Sequence, residues 1–395
     1  MDNVRTVTLA SIFRSLSYST IWIFSSIYIT IYLGMPVFFS AVLFFVGGSL
    51  SSFGQIAGGR LGDRFGHKYI FVSTGGIIVV LMALLSIFHG ISNDFQNYFI
   101  FVSILMMVNA FQSPSANALV SNSSSVQLKG FSIIRVGNNI GWGFGPAIGG
   151  YIIETYGFGA LFRYALVMTV ISFLISLMVS NTTVTTGKKM SFKTSNLSLI
   201  IISVAALLLF TVQAQETVTL SIFSDGVLSG NYTDIGIIYM TNGIFVIMLQ
   251  PLIYLLSSRI KPYYSLLSGS FTYTLGYTSF GLDHNFLQLI LSTIIFTIGE
   301  DLAFPAGYAM IAEISRKERI GTNIGIYNAF MSAGRSIGPL FGGYALSVHL
   351  SSIWLWLIVT IPGYVSCIIL VFSYWIIERY RLRFTESVKN ELLNG

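Results

Sequence analysis

The chain has 395 residues, of which 54% are apolar and only 9% charged. A soluble globular chain carries about 25% charged residues, so a set of soluble domains is excluded, and the recurring long apolar stretches make the lipid bilayer the solvent. The formal net charge of +6, from 21 Lys and Arg against 15 Asp and Glu, raises nucleic-acid binding as a question, which the placement of the charges answers in the negative.

Twelve membrane spans are predicted, near residues 7–33, 36–61, 69–89, 97–121, 130–154, 159–180, 197–223, 232–257, 263–281, 286–312, 321–347 and 352–377. The first follows a short polar start and is too long for a signal-peptide core. Lys and Arg favour cytoplasmic loops. With the N-terminus inside, 17 of the 21 cations are cytoplasmic; Arg163 lies outside, and Arg14, Arg135 and Arg335 fall within spans. Both termini are therefore expected in the cytoplasm of a multi-pass plasma-membrane protein. The charge excess is a topology signal and nucleic acid is not an expected partner. The fold class is all-α integral membrane. Its predicted divisions are an N-terminal six-helix bundle (1–180), a cytoplasmic linker (181–196), a C-terminal six-helix bundle (197–377) and a cytoplasmic tail (378–395).

The halves repeat one another. Span 4 carries Gln112-Ser113-Pro114 and span 10 carries Ala303-Phe304-Pro305, with Gly130 and Gly321 each following at the same interval. Span 5 reads Gly141-Trp142-Gly143-Phe144-Gly145-Pro146-Ala147-Ile148-Gly149-Gly150, and span 11 reads Gly334-Arg335-Ser336-Ile337-Gly338-Pro339-Leu340-Phe341-Gly342-Gly343. Two homologous bundles imply a pseudo-two-fold axis along the membrane normal and a site between the halves. Gly141, Gly145 and Gly149 share one helix face, as do Gly334, Gly338 and Gly342. Such faces allow close helix approach, and Pro146 and Pro339 each remove one backbone bond. Tight packing and a hinge or seal between the halves are both open readings.

Ionisable groups inside the bilayer need partners or water, since each costs at least about 2.5 kcal/mol at mid-membrane. Glu300 lies about 14 residues into span 10, roughly 21 Å along the helix, with Asp301 beside it. Arg335 is about as deep in span 11, and a Glu300–Arg335 or Asp301–Arg335 pair is expected, either as permanent glue or as a switch broken by protonation. Glu216 and Gln213 share a face of span 7. These four groups, Glu216, Glu300, Asp301 and Arg335, are the proton-coupling candidates. Arg14 begins a face of span 1 that continues through Tyr18, Ile21, Ser25, Tyr28 and Tyr32. Arg135, Asn138, Asn139 and Trp142 form a polar face of span 5. Asn109 and Gln112 on span 4, Asn242 on span 8 and Asn328 on span 11 complete a set that reads either as inter-helix hydrogen bonding or as an aqueous substrate cavity. The four histidines lie at loops without metal-ligand spacing, and the single Cys367 excludes an internal disulfide or thiolate cluster. No metal and no cofactor are expected.

Between spans 2 and 3 the chain reads Gly59-Arg60-Leu61-Gly62-Asp63-Arg64-Phe65-Gly66-His67-Lys68. This resembles the cytoplasmic signature loop of the major facilitator superfamily (MFS), matching at Gly59, Asp63, Arg64, Gly66 and Lys68. The Gly141–Gly150 segment is similar to that superfamily's antiporter motif, and Gly299-Glu300 with Pro305 resembles its drug–proton antiporter branch. The resemblance covers nearly the whole chain and implies alternating access by a monomer. It also implies that Asp63 docks on the start of span 11 and latches the halves on the cytoplasmic side, with Arg64 and Lys68 in the latch or enforcing topology. There are departures: Asn122 stands where the family often has an acid, the 8–9 loop has lost the signature apart from Arg259, for which Glu313 is a partner, and span 4 lacks the arginine of many proton-coupled members.

Secondary active transport, with protons driving export of amphipathic or drug-like small molecules, is the function this implies. The alternative is a proton symporter importing an organic anion or sugar, for which Arg14, Arg135 and Arg335 are available cations. A receptor lacks a signalling domain here, an intramembrane enzyme lacks a metal motif or catalytic pair, and nucleotide-driven pumping lacks a Gly-x-x-x-x-Gly-Lys-Ser/Thr loop.

Overall fold

The computed structural model describes residues 3–91, 94–123, 127–180, 197–257, 259–315 and 319–379. The linker at 181–196, most of the tail and the side chain of Asn122 lie outside the described residues. The described residues form thirteen α-helices and no strand. In chain order these are α1 (Asn3–Ile27), α2 (Val37–Phe65), α3 (His67–Phe88), α4 (Asp94–Ser123), α5 (Gln127–Tyr156), α6 (Phe158–Ser176) and α7 (Leu197–Gln213). There follow α8 (Thr219–Leu228), α9 (Tyr232–Ser257), α10 (Pro262–Ser279), α11 (Phe286–Glu313), α12 (Ile320–Ser347) and α13 (Ser352–Phe372).

Eight segments are long and apolar enough to cross a membrane, with α7 and α8 counted as one continuous stretch, Leu197–Leu228. The four other long helices, α1, α5, α10 and α12, are more polar because Ser, Thr, Gly, Asn and Tyr interrupt them. In α1 those polar groups are spent inside the protein. Ser17 Oγ donates to the Ala165 carbonyl at 2.9 Å and meets Thr169 Oγ1 at 2.8 Å. Ser172 Oγ donates to the Ala10 carbonyl at 2.7 Å, and Ser19 Oγ to the Gly141 carbonyl at 3.0 Å. A helix that satisfies its hydroxyls against neighbours does not need to be apolar all round.

Three local features depart from the predicted spans. First, α1 starts at Asn3, where a polar start was expected. Its side chain clasps the end of the α6 region, accepting from the Ser180 amide at 2.8 Å and donating to the Ser180 carbonyl at 3.2 Å. Second, α1 passes into a π-helical turn over Tyr28–Tyr32, a rare geometry associated with functional sites. Third, span 7 is broken: α7 ends at Gln213, a 3₁₀ turn covers Ala214–Glu216, and α8 restarts at Thr219. The polar run Gln213-Ala214-Gln215-Glu216-Thr217 inside an otherwise apolar span is the signal for that break.

The chain divides into two compact units. The first holds residues 1–188, 216–244 and 342–347, and the second holds 189–215, 245–341 and 348–395. In the first unit α2 packs on α4 through glycine. A Cβ at Gly54 would lie 2.5 Å from the Met107 carbonyl oxygen, and one at Gly58 would overlap the Phe111 backbone. In the second unit α10 and α11 interlock in the same way, Gly269 against Ala303, Gly276 against Phe296 and Gly299 against Tyr273. An aromatic cluster fills that unit's core, with Tyr277 and Phe296 centroids 4.8 Å apart and Phe280 and Trp356 4.9 Å apart. With no hydrophobic drive between helices in lipid, such close packing and hydrogen bonding hold the bundle.

Candidate functional site

A polar cavity of about 270 Å³ opens within the first unit between α1, α2, α4 and α5. Five of the predicted site residues line it: Arg14, Tyr18, Asn109, Asn138 and Trp142. Gln112 stands behind Arg14. Its Nε2 donates to the Phe71 carbonyl at 2.8 Å, which orients the amide so that Oε1 accepts from Arg14 Nη1 at 3.1 Å. Ser15 Oγ donates to Asn138 Oδ1 at 3.1 Å, and Tyr18 and Asn109 line the cavity beside them. Tyr18 and Trp142 form one wall, edge to face with centroids 6.0 Å apart, and Trp22 supports it 5.6 Å from Tyr18. No carboxylate lines the cavity among the described residues. The polar residues sequence reading missed here are Ser15, Ser51, Gln55 and Ser113, small or amide positions whose face no pattern marked.

Other predicted residues lie elsewhere. Tyr28 is buried at the far end of α1, where its hydroxyl donates to Asp94 at 2.9 Å and meets His89 Nδ1 at 2.9 Å. His89, just past α3, is held below the usual histidine range by burial, against the pull of Asp94. Arg135 is exposed and Asn139 and Asn242 are half-buried on their helices. Asn328 accepts from the Tyr308 hydroxyl at 2.9 Å within the second unit. Arg335 donates to Gln213 Oε1 at 2.9 Å and its guanidinium lies 4.5 Å above the Phe210 ring. Sequence reading grouped Gln213 with Glu216; the helix break puts it on Arg335 instead. Asp301 is buried and Glu300 half-buried on α11. Glu216 closes the 3₁₀ turn, its carbonyl accepting from the Tyr239 hydroxyl at 2.7 Å.

The glycine faces acquire partners. Gly141 and Gly145 of α5 face Ile12 and Leu16 carbonyls of α1, four residues apart, and Gly149 lies on Thr20. Gly334 and Gly338 of α12 face the Leu207 and Thr211 carbonyls of α7, also four apart. Each repeat thus packs its glycine helix on its first helix in the same register, which makes Trp142 the counterpart of Arg335 and Tyr18 the counterpart of Gln213. The opposite face of α5 is also in backbone contact. Pro146 lies on Gly236, Gly143 on Gly243 and Gly150 on the Tyr232 carbonyl, all within the first unit. Gly141, Gly145 and Gly149 are therefore all positions of close packing.

The signature segment is mostly helix. α2 continues through Phe65, so Asp63 and Arg64 sit in its last turn. The turn itself is Gly66, whose φ of +99° a side chain would strain. Gly62 allows close approach of His67, which is buried at the start of α3 and lies 3.4 Å from Asp63. Asp63 is exposed, Arg64 lies 5.2 Å over the Phe65 ring, and Gly59 approaches Pro114. No cluster of His, Cys, Asp and Glu able to hold a metal occurs among the described residues.

The sequence profile of the Major Facilitator Superfamily matches residues 7–280 and 205–392. The chain belongs to the Major Facilitator Superfamily. It is a multi-pass membrane transporter of the cell membrane, in a superfamily of transporters rather than enzymes. It is 26% identical over 345 residues to the uncharacterized MFS-type transporter YttB of Bacillus subtilis, covering 82% of this chain and 83% of the relative. Multidrug resistance protein 1 of the same organism is 22% identical, with 74% and 77% covered. Among solved structures, a peptide transporter POT in complex with sulfate superposes with a TM-score of 0.80 at 14% identity, over 96% of this chain and 95% of that one. That likeness establishes the MFS-like helical fold.

Proposed function

We propose that this protein is a proton-coupled exporter of amphipathic small molecules that works by alternating access, with twelve spans and both termini cytoplasmic. The observation that carries the reading is the polar, partly aromatic cavity around Arg14, set among apolar helices where lipid alone would permit no unsatisfied polar wall. Intramembrane ionisable groups mark substrate or proton pathways by default, and Arg14, Glu300 and Asp301 are such groups. The multidrug resistance protein of Bacillus subtilis among the relatives favours export. Glu300, Asp301 and Glu216 are the groups through which a proton acts, by cancelling one charge and shifting the balance of two conformations. Asp63 is the conformational latch, Arg64 and Lys68 support it, and the protein acts as a monomer. The glycine–proline segments of α5 and α12, including Pro146, Pro339 and Gly342, are the places where the helices flex or seal.

Reconstitution into liposomes loaded with a pH-sensitive dye tests the coupling. An imposed gradient of an amphipathic substrate should change lumenal pH, and Glu300→Gln should abolish the change while leaving the protein folded. Substrate flux with no proton movement overturns proton coupling. Coupled uptake of a carboxylate together with protons favours the symporter reading instead.

A further inference from the structure

Arg14 is a half-buried guanidinium held by a neutral partner. Its hydrogen bond goes to Gln112, and the wall around it contains amides, hydroxyls and rings but no carboxylate among the described residues. A cation partly withdrawn from water is left under-compensated when its only partner is a neutral amide. Gln112 cannot turn to supply more, because its amide nitrogen is committed to Phe71. One of the five guanidinium donors is used, and the rest of the planar fork matches a carboxylate or a similar oxyanion. Beside it, the Tyr18–Trp142 corner presents ring faces and edges at 77° to each other, a geometry that receives a flat aromatic group. Asn109 Oδ1 is buried at the same cavity with no hydrogen-bond partner, an acceptor available to an N–H or O–H.

We infer that this cavity selects aromatic organic anions, with Arg14 binding the oxyanion and Tyr18 and Trp142 the ring. The inference rests on the cavity being the substrate chamber of the transporter. It sharpens that reading by choosing a charge. A lipophilic cation would meet Arg14 with nothing to oppose the repulsion, whereas an anion leaves the filled cavity neutral.

Equilibrium binding to the purified full chain in nanodiscs, with empty nanodiscs subtracted, provides the test. The probes are 2-naphthoate, the neutral 2-naphthamide and tetraphenylphosphonium. Wild-type protein should bind naphthoate at least tenfold more tightly than naphthamide, and tetraphenylphosphonium more weakly than naphthoate. Arg14→Gln should erase the naphthoate preference over naphthamide, Arg14→Lys should keep part of it, and Trp142→Ala should weaken both ring compounds. Equal wild-type affinities for the acid and the amide, tighter binding of the phosphonium, or no binding of any probe overturns the inference with no variant needed. Proton-linked flux of tetraphenylphosphonium in liposomes, with naphthoate indifferent to Arg14, would leave the transporter reading standing and remove the anion site. Arg14-dependent naphthoate binding without any flux would do the reverse.

Discussion

Gln112 takes the Arg14 guanidinium at 3.1 Å with one end of its amide and the Phe71 carbonyl at 2.8 Å with the other. Three helices are thereby joined at one side chain, α1 through Arg14, α4 through Gln112 and α3 through Phe71. The amide is a rigid spacer that aims the cation, so its removal is felt in both stability and recognition. Gln112→Ala should lower stability by about 1–3 kcal/mol, the range for leaving a hydrogen bond to a charged group unmade. Thermal unfolding in detergent measures it, and an unchanged midpoint would show that water replaces the amide without loss.

The glycines of α5 and α12 give a matched set of substitutions. Gly145→Ala puts a methyl onto Ser19 and the Leu16 carbonyl, and Gly338→Ala puts one 2.6 Å from the Thr211 carbonyl oxygen. Each should cost about 1–3 kcal/mol by overpacking. Gly226 of α8 has nothing within 4 Å of an added Cβ, so Gly226→Ala should be neutral or slightly stabilising. Expression level and unfolding temperature compare the three. Equal tolerance at all three positions would contradict the close helix approach.

Asp63→Asn should keep the protein folded, since the substitution preserves a polar group 3.4 Å from His67, and should reduce transport several-fold by weakening the latch. Undiminished flux in liposomes would sink the latch reading and leave Asp63 as a helix-end charge.

Asp283, in the connection between α10 and α11, is buried, and burial raises its carboxyl to about 6 against a hydrogen bond from Ser292 that lowers it. A folded-state value above the unfolded one means that folding favours the protonated acid. The destabilisation is absent below about pH 4, the ordinary Asp range, grows as pH rises to 6, and is constant above that. Asp283→Asn should therefore raise the unfolding temperature at pH 7.5 and not at pH 4. A pH-independent effect would place the carboxylate in water.

Much of this architecture was legible from residue pattern. The Gly-x-x-x-Gly spacing of span 5 reappears as the α1–α5 contact, and Arg14, Asn109 and Asn138 converge on one cavity as polar positions in apolar spans should. What escaped was geometry set by tertiary contact. Nothing in the face Arg14–Tyr18–Tyr28 marks where the cavity ends, so Tyr28 was grouped with Arg14 although it is bonded to Asp94 and His89 at the other end of the helix. The break after Gln213 is made without Pro or Gly. The Gln215 amide stabilises it by donating to the Thr211 and Gly338 carbonyls at 2.9 and 3.1 Å, and a side-chain bond of that kind has no periodic signature. Asp63 belongs to a segment that resembles a signature loop, whereas the last turn of α2 carries it beyond the apolar stretch.

In α5, close approach occurs on both sides, at Gly141 and Gly145 towards α1 and at Gly143 and Gly150 towards the first half of α9. Contacts made by long side chains can absorb a small shift by changing rotamer; those to the Ile12, Leu16 and Tyr232 carbonyls leave less room to do so. A displacement of α1 would then reach α5 through these contacts, and the ring wall carried by Trp142 would travel with it. Ligand occupancy near Arg14 would in this way become mechanical strain on α9, without any side chain relaying it.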